Sequence, residues 1–293
     1  MNEGCRQIEV LIGPFQEGTL RDENGNPRKG RAVSIVSNGN IGTMRVQASI
    51  SKSRIPMENT ADIIIYNLQR DTISLLNKNG LHIQVLAGYE IGNMELLFSG
   101  AVVHTNTNRQ GPDFVTRIKC IAGGYSLMKE ATSVSYTNGT SLKKIVTELA
   151  QKIPDVTVDP TKINIKGSIG YAGFSYVGNV KGALDSLGYQ YGFSWDIDNG
   201  MFIVAMDDEK PRKGVVLDGY NGLRQVSPQL YGPYFIQVGL DIESDYVQGV
   251  RPGYSVTANT SFKKYGSYMI HTVSYNLCPK NDQWDMHISA LIS

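Results

Sequence analysis

The sequence predicts a mainly β protein of the α+β class, in which two small β-barrel domains are separated by a compact α/β domain. Glycine occurs 31 times and tyrosine 16 times in 293 residues. Charged residues make up only 19% of the chain, against roughly 25% in an average soluble protein. Hydrophobic residues alternate with polar ones in both outer thirds, whereas helical periodicity is concentrated in the middle. The length exceeds that of one typical domain, so two or three domains are expected.

Residues 1–135 are predicted to form the first β-barrel domain. Asn24-Gly25 and Asn38-Gly39 are typical hairpin turns between short strands. After Asp71 the hydrophobic spacing changes to that of a short helix, which Asn79-Gly80 would end. Five segments have the alternating or β-branched composition of strands: Met44–Ser51, Ala61–Tyr66, Leu81–Ala87, Glu95–His104 and Phe114–Ala122.

Residues 136–210 are predicted to form the compact α/β domain. Thr140 or Ser141 can cap an amphipathic helix, and a second helical pattern stops at Gly188. Two alternating segments follow, and Asp198-Asn199-Gly200 between them is a strong hairpin signal. The order helix, helix, hairpin accounts for about seventy residues.

Residues 211–293 are predicted to form the second β-barrel domain. The charged segment Asp207–Lys213 contains a proline and is expected to be a linker or an exposed turn. Pro252-Gly253 marks a turn between strands. Four segments alternate as strands do: Phe235–Leu240, Tyr254–Ala258, Tyr268–Ser274 and Trp284–Leu291.

Charge and cysteine content argue against several functional classes. The 28 Lys and Arg against 27 Asp and Glu leave a net charge of +1, so a dedicated nucleic-acid binder is not expected. Cys5, Cys120 and Cys278 are too far apart for a disulfide framework or a zinc site and are expected to be reduced. No segment has the length and hydrophobicity of a membrane span, and no signal peptide is recognisable. Membrane insertion is therefore not expected.

No catalytic, metal or cofactor site is predicted. His271 and Cys278 could meet in space, but a structural histidine is the favoured interpretation. The glycines follow turn positions, and even Gly167–Gly173 lacks the context of a nucleotide-binding loop. Each of the four histidines stands alone in a strand pattern: His82, His104, His271 and His287.

Two alternative functions remain open at this stage. Asp241, Glu243 and Asp245 would share one face of a strand, and a peptidoglycan or glycan hydrolase needs a pair of such carboxylates. A solvated strand edge is the favoured interpretation of this row. A glycan-binding module could instead use clustered aromatic side chains, although core or interface packing is favoured. Those aromatic residues are Tyr171, Phe174, Tyr176, Tyr189, Tyr191, Phe193 and Trp195.

Several segments spread over the chain follow a recognisable order of strands, turns and helices. They are Asn59–Leu68, Leu81–Tyr89, Leu96–Val103, Asp113–Cys120, Tyr136–Ala150, Leu184–Val204, Arg251–Val256 and Gly266–Val273. Taken together, they resemble the baseplate hub proteins of contractile-tailed bacteriophages. That family includes Mu-type hubs and is similar to the trunk of type VI secretion spike proteins.

The resemblance implies a homotrimer in which two barrels per subunit form a pseudo-sixfold ring. Such a ring would join the sixfold tail tube to the threefold central spike, and DNA would pass through its lumen without specific binding. The implied partners are the spike, the tail tube or tape-measure-end proteins, and other baseplate (wedge) proteins. The implied location is the tail baseplate of the virion, assembled in the host cytoplasm. The role is structural, so no enzymatic activity is expected.

Overall fold

The computed structural model describes residues 6–14, 33–54, 59–76, 81–90, 93–123, 131–153, 156–206, 213–231, 237–281 and 283–292. The turn at Asn24-Gly25, the helix end at Asn79-Gly80, Cys5 and most of the predicted 207–213 linker lie outside the described residues. Strands dominate the described part of the chain, which confirms the predicted mainly β class. No helix of the described part is long and hydrophobic enough to span a bilayer.

The first part of the chain forms seven strands and one short helix among its described residues. These are β1 (Gln7–Pro14), β2 (Val33–Asn38), β3 (Val46–Ser53), β4 (Thr60–Tyr66), α1 (Arg70–Leu76), β5 (Leu81–Glu90), β6 (Asn93–Gln110) and β7 (Asp113–Ile121). Period-two alternation places Val46, Ala48 and Ile50 of β3 on the buried face, as a half-buried strand requires. The five predicted strands correspond to β3 to β7, and β6 extends beyond both predicted ends.

The middle part of the chain forms two pairs of antiparallel strands and two helices. Its elements are β8 (Ala131–Tyr136), α2 (Leu142–Ala150), β9 (Phe174–Asn179), α3 (Val180–Tyr191), β10 (Phe193–Asp198) and β11 (Met201–Met206). Ser141 occupies the N-cap of α2, but its side chain makes no capping hydrogen bond. The predicted helix end at Gly188 is wrong, because α3 continues to Tyr191 and ends at the left-handed Gly192. Gly188 instead allows close packing, since a Cβ there would lie 2.6 Å from the Phe193 carbonyl oxygen.

The last part of the chain returns to strands. They are β12 (Gly214–Asp218), β13 (Leu223–Tyr231), β14 (Gln237–Asp245), β15 (Ser255–Asn259), β16 (Lys264–Leu277) and β17 (Trp284–Leu291). The four predicted strands correspond to β14 to β17. The start of the predicted Phe235–Leu240 segment lies outside the described residues, and its end is placed too early, because β14 continues through the acidic row to Asp245.

The same strand order occurs twice along the chain. In the first part the strands are hydrogen-bonded in the order β3-β4-β7-β6-β5, and in the last part in the order β13-β14-β17-β16-β15. We call these two sets the first and second repeats. Within each repeat all neighbouring strands are antiparallel.

The two repeats are joined by hydrogen bonds between β3 and β16. Thr272 pairs with Ser53 at one end of this ladder, and Leu277 pairs with Ala48 at the other. Both repeats therefore belong to one 13-stranded sheet. The strand β8 crosses the predicted domain boundary at 135/136 and pairs with β9. The division into domains 1–135, 136–210 and 211–293 stays a prediction.

Candidate functional site

A buried lysine marks the place where the two repeats meet the middle part of the chain. Lys52 continues the inward series of β3, and its side chain is only 2% exposed. Its Nζ lies 2.5 Å from Asp198 Oδ1 and 3.2 Å from Asn199 Oδ1. An ion withdrawn from water in this way is tolerated only when it is paired and hydrogen-bonded, and Asp198 and Asn199 provide both.

The partners of Lys52 come from the tip of the β10–β11 hairpin. Asn199 and Gly200 have φ values of 52° and 79°, as expected for the predicted two-residue turn. The Asn199 Nδ2 group donates a hydrogen bond to the Leu96 carbonyl oxygen of β6 at 2.9 Å. The tip of the hairpin is therefore held by two strands of the first repeat.

Arg251 connects the second repeat to the same place. Its Nε and Nη2 groups donate to Glu95 Oε1 at 2.9 and 2.7 Å, and Nη1 lies 3.7 Å from Asp198 Oδ2. The other Glu95 oxygen accepts from the Gly249 amide at 2.7 Å. The loop after β14 is thus tied both to β6 and to the hairpin tip.

A second carboxylate of the hairpin is buried beside these ion pairs. Asn59 Nδ2 lies 3.0 and 2.8 Å from the two Asp196 carboxylate oxygens, and Asn59 Oδ1 accepts from the Ser53 amide. Burial, and then the negative charge of Asp198, raise the pKa of Asp196 to about 7 despite the Asn59 hydrogen bond. The junction network consists of Lys52, Asn59, Glu95, Asp196, Asp198, Asn199 and Arg251.

The raised pKa of Asp196 predicts a pH-dependent stability. The folded chain binds this proton more tightly than the unfolded chain, so the contribution of Asp196 is present below about pH 4 and is lost as the pH rises to about 7. The Asp196→Asn variant should remove this slope, which amounts to about 2 to 4 kcal/mol across that window. Chemical denaturation of both proteins at several pH values measures the difference.

The pH dependence of the free energy of unfolding has to be compared between the variant and the wild type, because a second buried group has a pKa shifted in the opposite direction. That group is His82. Burial lowers the pKa of His82 to about 4, so its protonation destabilises the fold as the pH falls. That effect is common to both proteins and cancels in the difference. A variant whose stability has the same pH slope as the wild type between pH 4 and 7 would contradict the assignment to Asp196.

Aromatic side chains pack between the repeats beside the junction network, where the Tyr246 hydroxyl lies 3.4 Å from Glu95 Oε2. The ring of Tyr246 lies 6.0 Å from Tyr89, 6.1 Å from Tyr275 and 5.6 Å from Trp284. The Tyr89 hydroxyl donates to the Tyr246 carbonyl oxygen at 2.5 Å. Tyr246, Tyr275 and Trp284 are at most 1% exposed, so this aromatic cluster adds apolar burial to the polar network.

A cleft of about 330 Å³ opens next to the junction network. Lys52, Asp196, Asp198 and Arg251 face it, and all four are engaged in the contacts described above. The described residues contain no group of three or more His, Cys, Asp or Glu side chains placed to hold a metal ion. The arrangement fits a structural joint that holds the first repeat, the second repeat and the middle part of the chain in fixed positions relative to each other.

The acidic row considered for glycan hydrolysis lies on the solvent-exposed face of β14. Asp241, Glu243 and Asp245 alternate there with buried residues. Glu243 lies 3.8 Å from His287 Nδ1 on the neighbouring strand, and Asp245 contacts Arg224. The row is solvated, but it does not lie on a sheet edge as the favoured interpretation had it, because β14 pairs with β13 on one side and with β17 on the other.

The aromatic residues considered for glycan binding are divided between core and surface. Trp195 is buried, stacks on Phe202 at 5.7 Å and donates from Nε1 to Asp185. Tyr171 and Tyr189 are almost fully exposed. His271 and Cys278 both belong to the β16 region, and seven residues of strand separate them by roughly 23 Å along the strand. Cys120 and Cys278 are buried free thiols.

The sequence pattern does not predict the junction network, although one of the network residues, Lys52, has a recognisable sequence signal. Lys52 follows Val46, Ala48 and Ile50 at the spacing of a buried strand face, so a charge at that position indicates a buried ion. From the sequence, Asp198 indicates only a hairpin turn. Glu95 and Arg251 have no local signal, because they are 156 residues apart in the sequence.

Comparison with solved structures shows the same fold in phage tail proteins. A tail protein from Neisseria meningitidis MC58 is 10% identical with a TM-score of 0.66, covering 97% of this chain and 96% of that chain. The 43 kDa tail protein of prophage MuSo2 from Shewanella oneidensis is 10% identical with a TM-score of 0.64, covering 97% of both chains. An E. coli component of the type VI secretion system is 9% identical with a TM-score of 0.63, covering 85% of this chain and 73% of that chain. These identities support likeness of fold alone.

Comparison of the sequence with curated proteins finds no match. The model of one protein family, described as baseplate hub gp41, matches residues 33–289. This match covers most of the chain and confirms the resemblance to baseplate hubs that the strand and turn pattern suggested. The chain therefore belongs to the baseplate hub gp41 family of phage tail structural proteins.

Proposed function

We propose that three copies of the chain form a hub that joins the sixfold tail tube to the threefold central spike of a contractile tail. The observation that carries the proposal is the repeated strand order, together with the hydrogen-bonded joint between the repeats. Two like units in each of three subunits give six like units around a threefold axis. Such a ring presents nearly sixfold surfaces to a tube and threefold surfaces to a spike.

One face of the joined sheet is suited to line a channel. Eight strands follow one another without a break in the order β6-β7-β4-β3-β16-β17-β14-β13, and we call this set the arc. Residues that lie directly opposite each other on neighbouring strands form a continuous polar row across the arc. This row consists of Asp245, Asp285, Asn276, Ser49, Asp62, Lys119 and His104. A second row consists of Gln225, Glu243, His287, Ser274, Ser51 and Thr60. Both rows are at least partly exposed, and we call this side the polar face.

Charges on the polar face are largely compensated within the sheet. Arg224 contacts Asp245 and lies 3.7 Å from Asp285. Arg117 lies 3.3 Å from Asp62. Ser49 Oγ donates to Asn276 Oδ1 at 3.0 Å across the joint of the two repeats. A face with few uncompensated cations binds phosphates weakly, so DNA could pass it without being retained.

The remaining parts of the proposal rest on the resemblance to baseplate hubs. The first and second β-domains, 1–135 and 211–293, would supply the ring, and the middle domain, 136–210, would brace them through the junction network. The ring would contact the spike, the tail tube or tape-measure-end proteins and the wedge proteins in the virion baseplate after assembly in the host cytoplasm. Its role involves no bond-making step.

Mass measurement in solution tests the proposed assembly. The chain should occur at three times its 32.2 kDa mass, either alone or when co-expressed with the products of the neighbouring tail genes. A chain that stays monomeric under both conditions, or that forms a twofold assembly, would contradict the hub. A zymogram with the same preparation tests the hydrolase alternative, and clearing of peptidoglycan would favour that alternative.

Lysines introduced on the polar face should slow genome ejection. In a threefold ring Ser49→Lys and Ser51→Lys would add six cations to the lumen, and each can contact a DNA phosphate. We expect ejection from particles carrying the double variant to be several-fold slower at low salt and to recover at high salt, measured by real-time DNA release. Ser133→Lys on the exposed side of β8 is the matched control and should not change the rate. Equal rates for both variants would contradict the assignment of the lumen.

A further inference from the structure

We propose that two neighbouring turns in the last part of the chain insert aromatic side chains into the surface of an anionic lipid bilayer. One turn joins β12 to β13 and presents Tyr220, and the other joins β15 to β16 and presents Phe262. We call residues 218–222 and 260–264 the paired tips. The contact is peripheral and involves no spanning segment. It goes beyond the proposed hub and does not depend on the trimer.

The pairing of β12 with β15 places the two turns side by side. These strands are parallel, and their last residues, Asp218 and Asn259, lie directly opposite each other. Neighbouring strands are about 4.8 Å apart, and parallel strands end on the same side of a sheet. The two turns therefore begin next to each other.

Both turns expose their largest hydrophobic side chain almost completely. Tyr220 and Phe262 are each 98% exposed, and Val216 on the adjoining strand β12 is 52% exposed. Single exposed hydrophobic residues are common on protein surfaces and need no explanation. Two aromatic side chains on adjacent turns form a shared hydrophobic feature, which indicates an interaction site.

Hydrogen bonds hold the backbone of each turn in place. In the first turn, Asp218 Oδ1 accepts from the Tyr220 and Asn221 amides at 2.9 and 3.1 Å. In the second turn, Thr260 Oγ1 accepts from the Lys263 amide at 2.9 Å, and the Thr260 amide donates to the Lys263 carbonyl oxygen at 2.9 Å. The aromatic side chains are thus presented by ordered turns, so little backbone entropy is lost when they bind.

Two lysines give the paired tips a net positive charge. Lys263 and Lys264 follow Phe262 directly, and both are exposed. Lys263 Nζ lies 4.8 Å from the centre of the Tyr265 ring. The carboxylate within the paired tips belongs to Asp218 and accepts the two amide hydrogen bonds described above. Each lysine near an anionic bilayer contributes about a fivefold gain in affinity.

The combination of aromatic and lysine side chains favours a lipid surface over a protein partner. Aromatic residues are enriched in protein interfaces, but lysine is depleted there. A specific protein interface also buries about 800 Å² on each partner, whereas side chains that are 98% exposed have almost no surface of this chain beside them. At a bilayer, aromatic rings lie at the level of the headgroups, and lysine side chains extend to the phosphates.

Tryptophan fluorescence of a Phe262→Trp variant tests the contact in the full-length chain. The native Trp195 and Trp284 are 4% and 0% exposed, so the response to lipid should come from the new side chain. With vesicles of equimolar phosphatidylglycerol and phosphatidylcholine at low salt, we expect a blue shift of the emission and quenching by brominated acyl chains. Vesicles of phosphatidylcholine alone should bind roughly tenfold more weakly or less, because the lysines then have no anionic partner.

Substitutions in the paired tips separate the hydrophobic contribution from the electrostatic one. Tyr220→Ser with Phe262→Ser should lower binding to the anionic vesicles at least about tenfold, measured by cosedimentation. Lys263→Ser with Lys264→Ser should lower it by a similar factor and remove most of its salt dependence.

Tyr189→Ser on α3 and Lys144→Ser on α2 are the matched controls, because both side chains are largely exposed outside the paired tips. Vesicle binding by these two variants should equal that of the wild type, and an equal loss would overturn the assignment to the paired tips. Emission of Phe262→Trp that does not respond to anionic vesicles would overturn the proposal. A blue shift that occurs only in the assembled tail tip would also overturn it, because the paired tips would then contact protein.

Discussion

Replacing Lys52 with alanine is expected to lower the free energy of unfolding by about 3 to 5 kcal/mol, because it breaks a buried ion pair and leaves the Asp198 carboxylate with only the longer 3.7 Å contact to Arg251. Lys52 is almost completely buried and bonded to Asp198 and Asn199 at the hairpin tip. The loss should affect both the first repeat and its contact with the middle part of the chain. Urea denaturation of the full-length protein measures it.

A matched variant distinguishes the ion pair from simple packing. Lys52→Met with Asp198→Asn removes both charges while keeping similar volumes, and it should be much less destabilised than Lys52→Ala, because no buried charge is left unpaired. Lys144→Ala on the exposed face of α2, where the partner Glu148 is also largely exposed, should change stability by less than about 0.5 kcal/mol. A Lys52→Ala variant as stable as Lys144→Ala would contradict the junction network.

Replacing Tyr246 with alanine is expected to cost about 3 to 5 kcal/mol, as for other large aromatic residues removed from a core. Tyr246 is 1% exposed and contacts the rings of Tyr89, Tyr275 and Trp284 between the two repeats. The cavity left behind would lie between the repeats and next to the ion pair of Arg251 with Glu95, because the Tyr246 hydroxyl is 3.4 Å from Glu95 Oε2. Thermal and chemical unfolding of the variant measure the effect.

Two further variants separate packing from hydrogen bonding at this position. Tyr246→Phe keeps the ring and removes only the hydroxyl, which lies 3.4 Å from both the Ala87 carbonyl oxygen and Glu95 Oε2, so it should cost about 1 to 2 kcal/mol. Tyr220→Ala removes a tyrosine that is 98% exposed and should have little effect. If Tyr246→Ala were no more harmful than Tyr246→Phe, the aromatic cluster would not contribute to holding the repeats together.

Local pattern was sufficient to predict most strands of both repeats. The alternation through Val46, Ala48 and Ile50 identifies the buried face of β3, and Asp198-Asn199-Gly200 identifies the hairpin turn, because both depend on neighbours in sequence. The end of α3 was missed because Gly188 is a packing position against Phe193. A glycine has the same appearance in sequence whether it ends a helix or permits close contact.

Partner choice between distant strands could not be predicted. Alternation indicates which side chains share a face, but it contains no information on which strand lies beside which. The joint of Ser49 with Asn276 connects residues 227 positions apart. The contact of Arg251 with Glu95 is equally remote, so the junction network could be anticipated only at Lys52, where a charge interrupts a buried series.

Three arcs are expected to form a ring with the polar face toward a central channel. Cryo-electron microscopy of the assembled tail tip, at a resolution that separates strands, would show this arrangement. We predict three copies around the axis, 24 strands in the channel wall, and Ser49, Ser51 and Asn276 facing the lumen. A ring of another symmetry, or a channel wall with these three residues turned away from the lumen, would contradict the account.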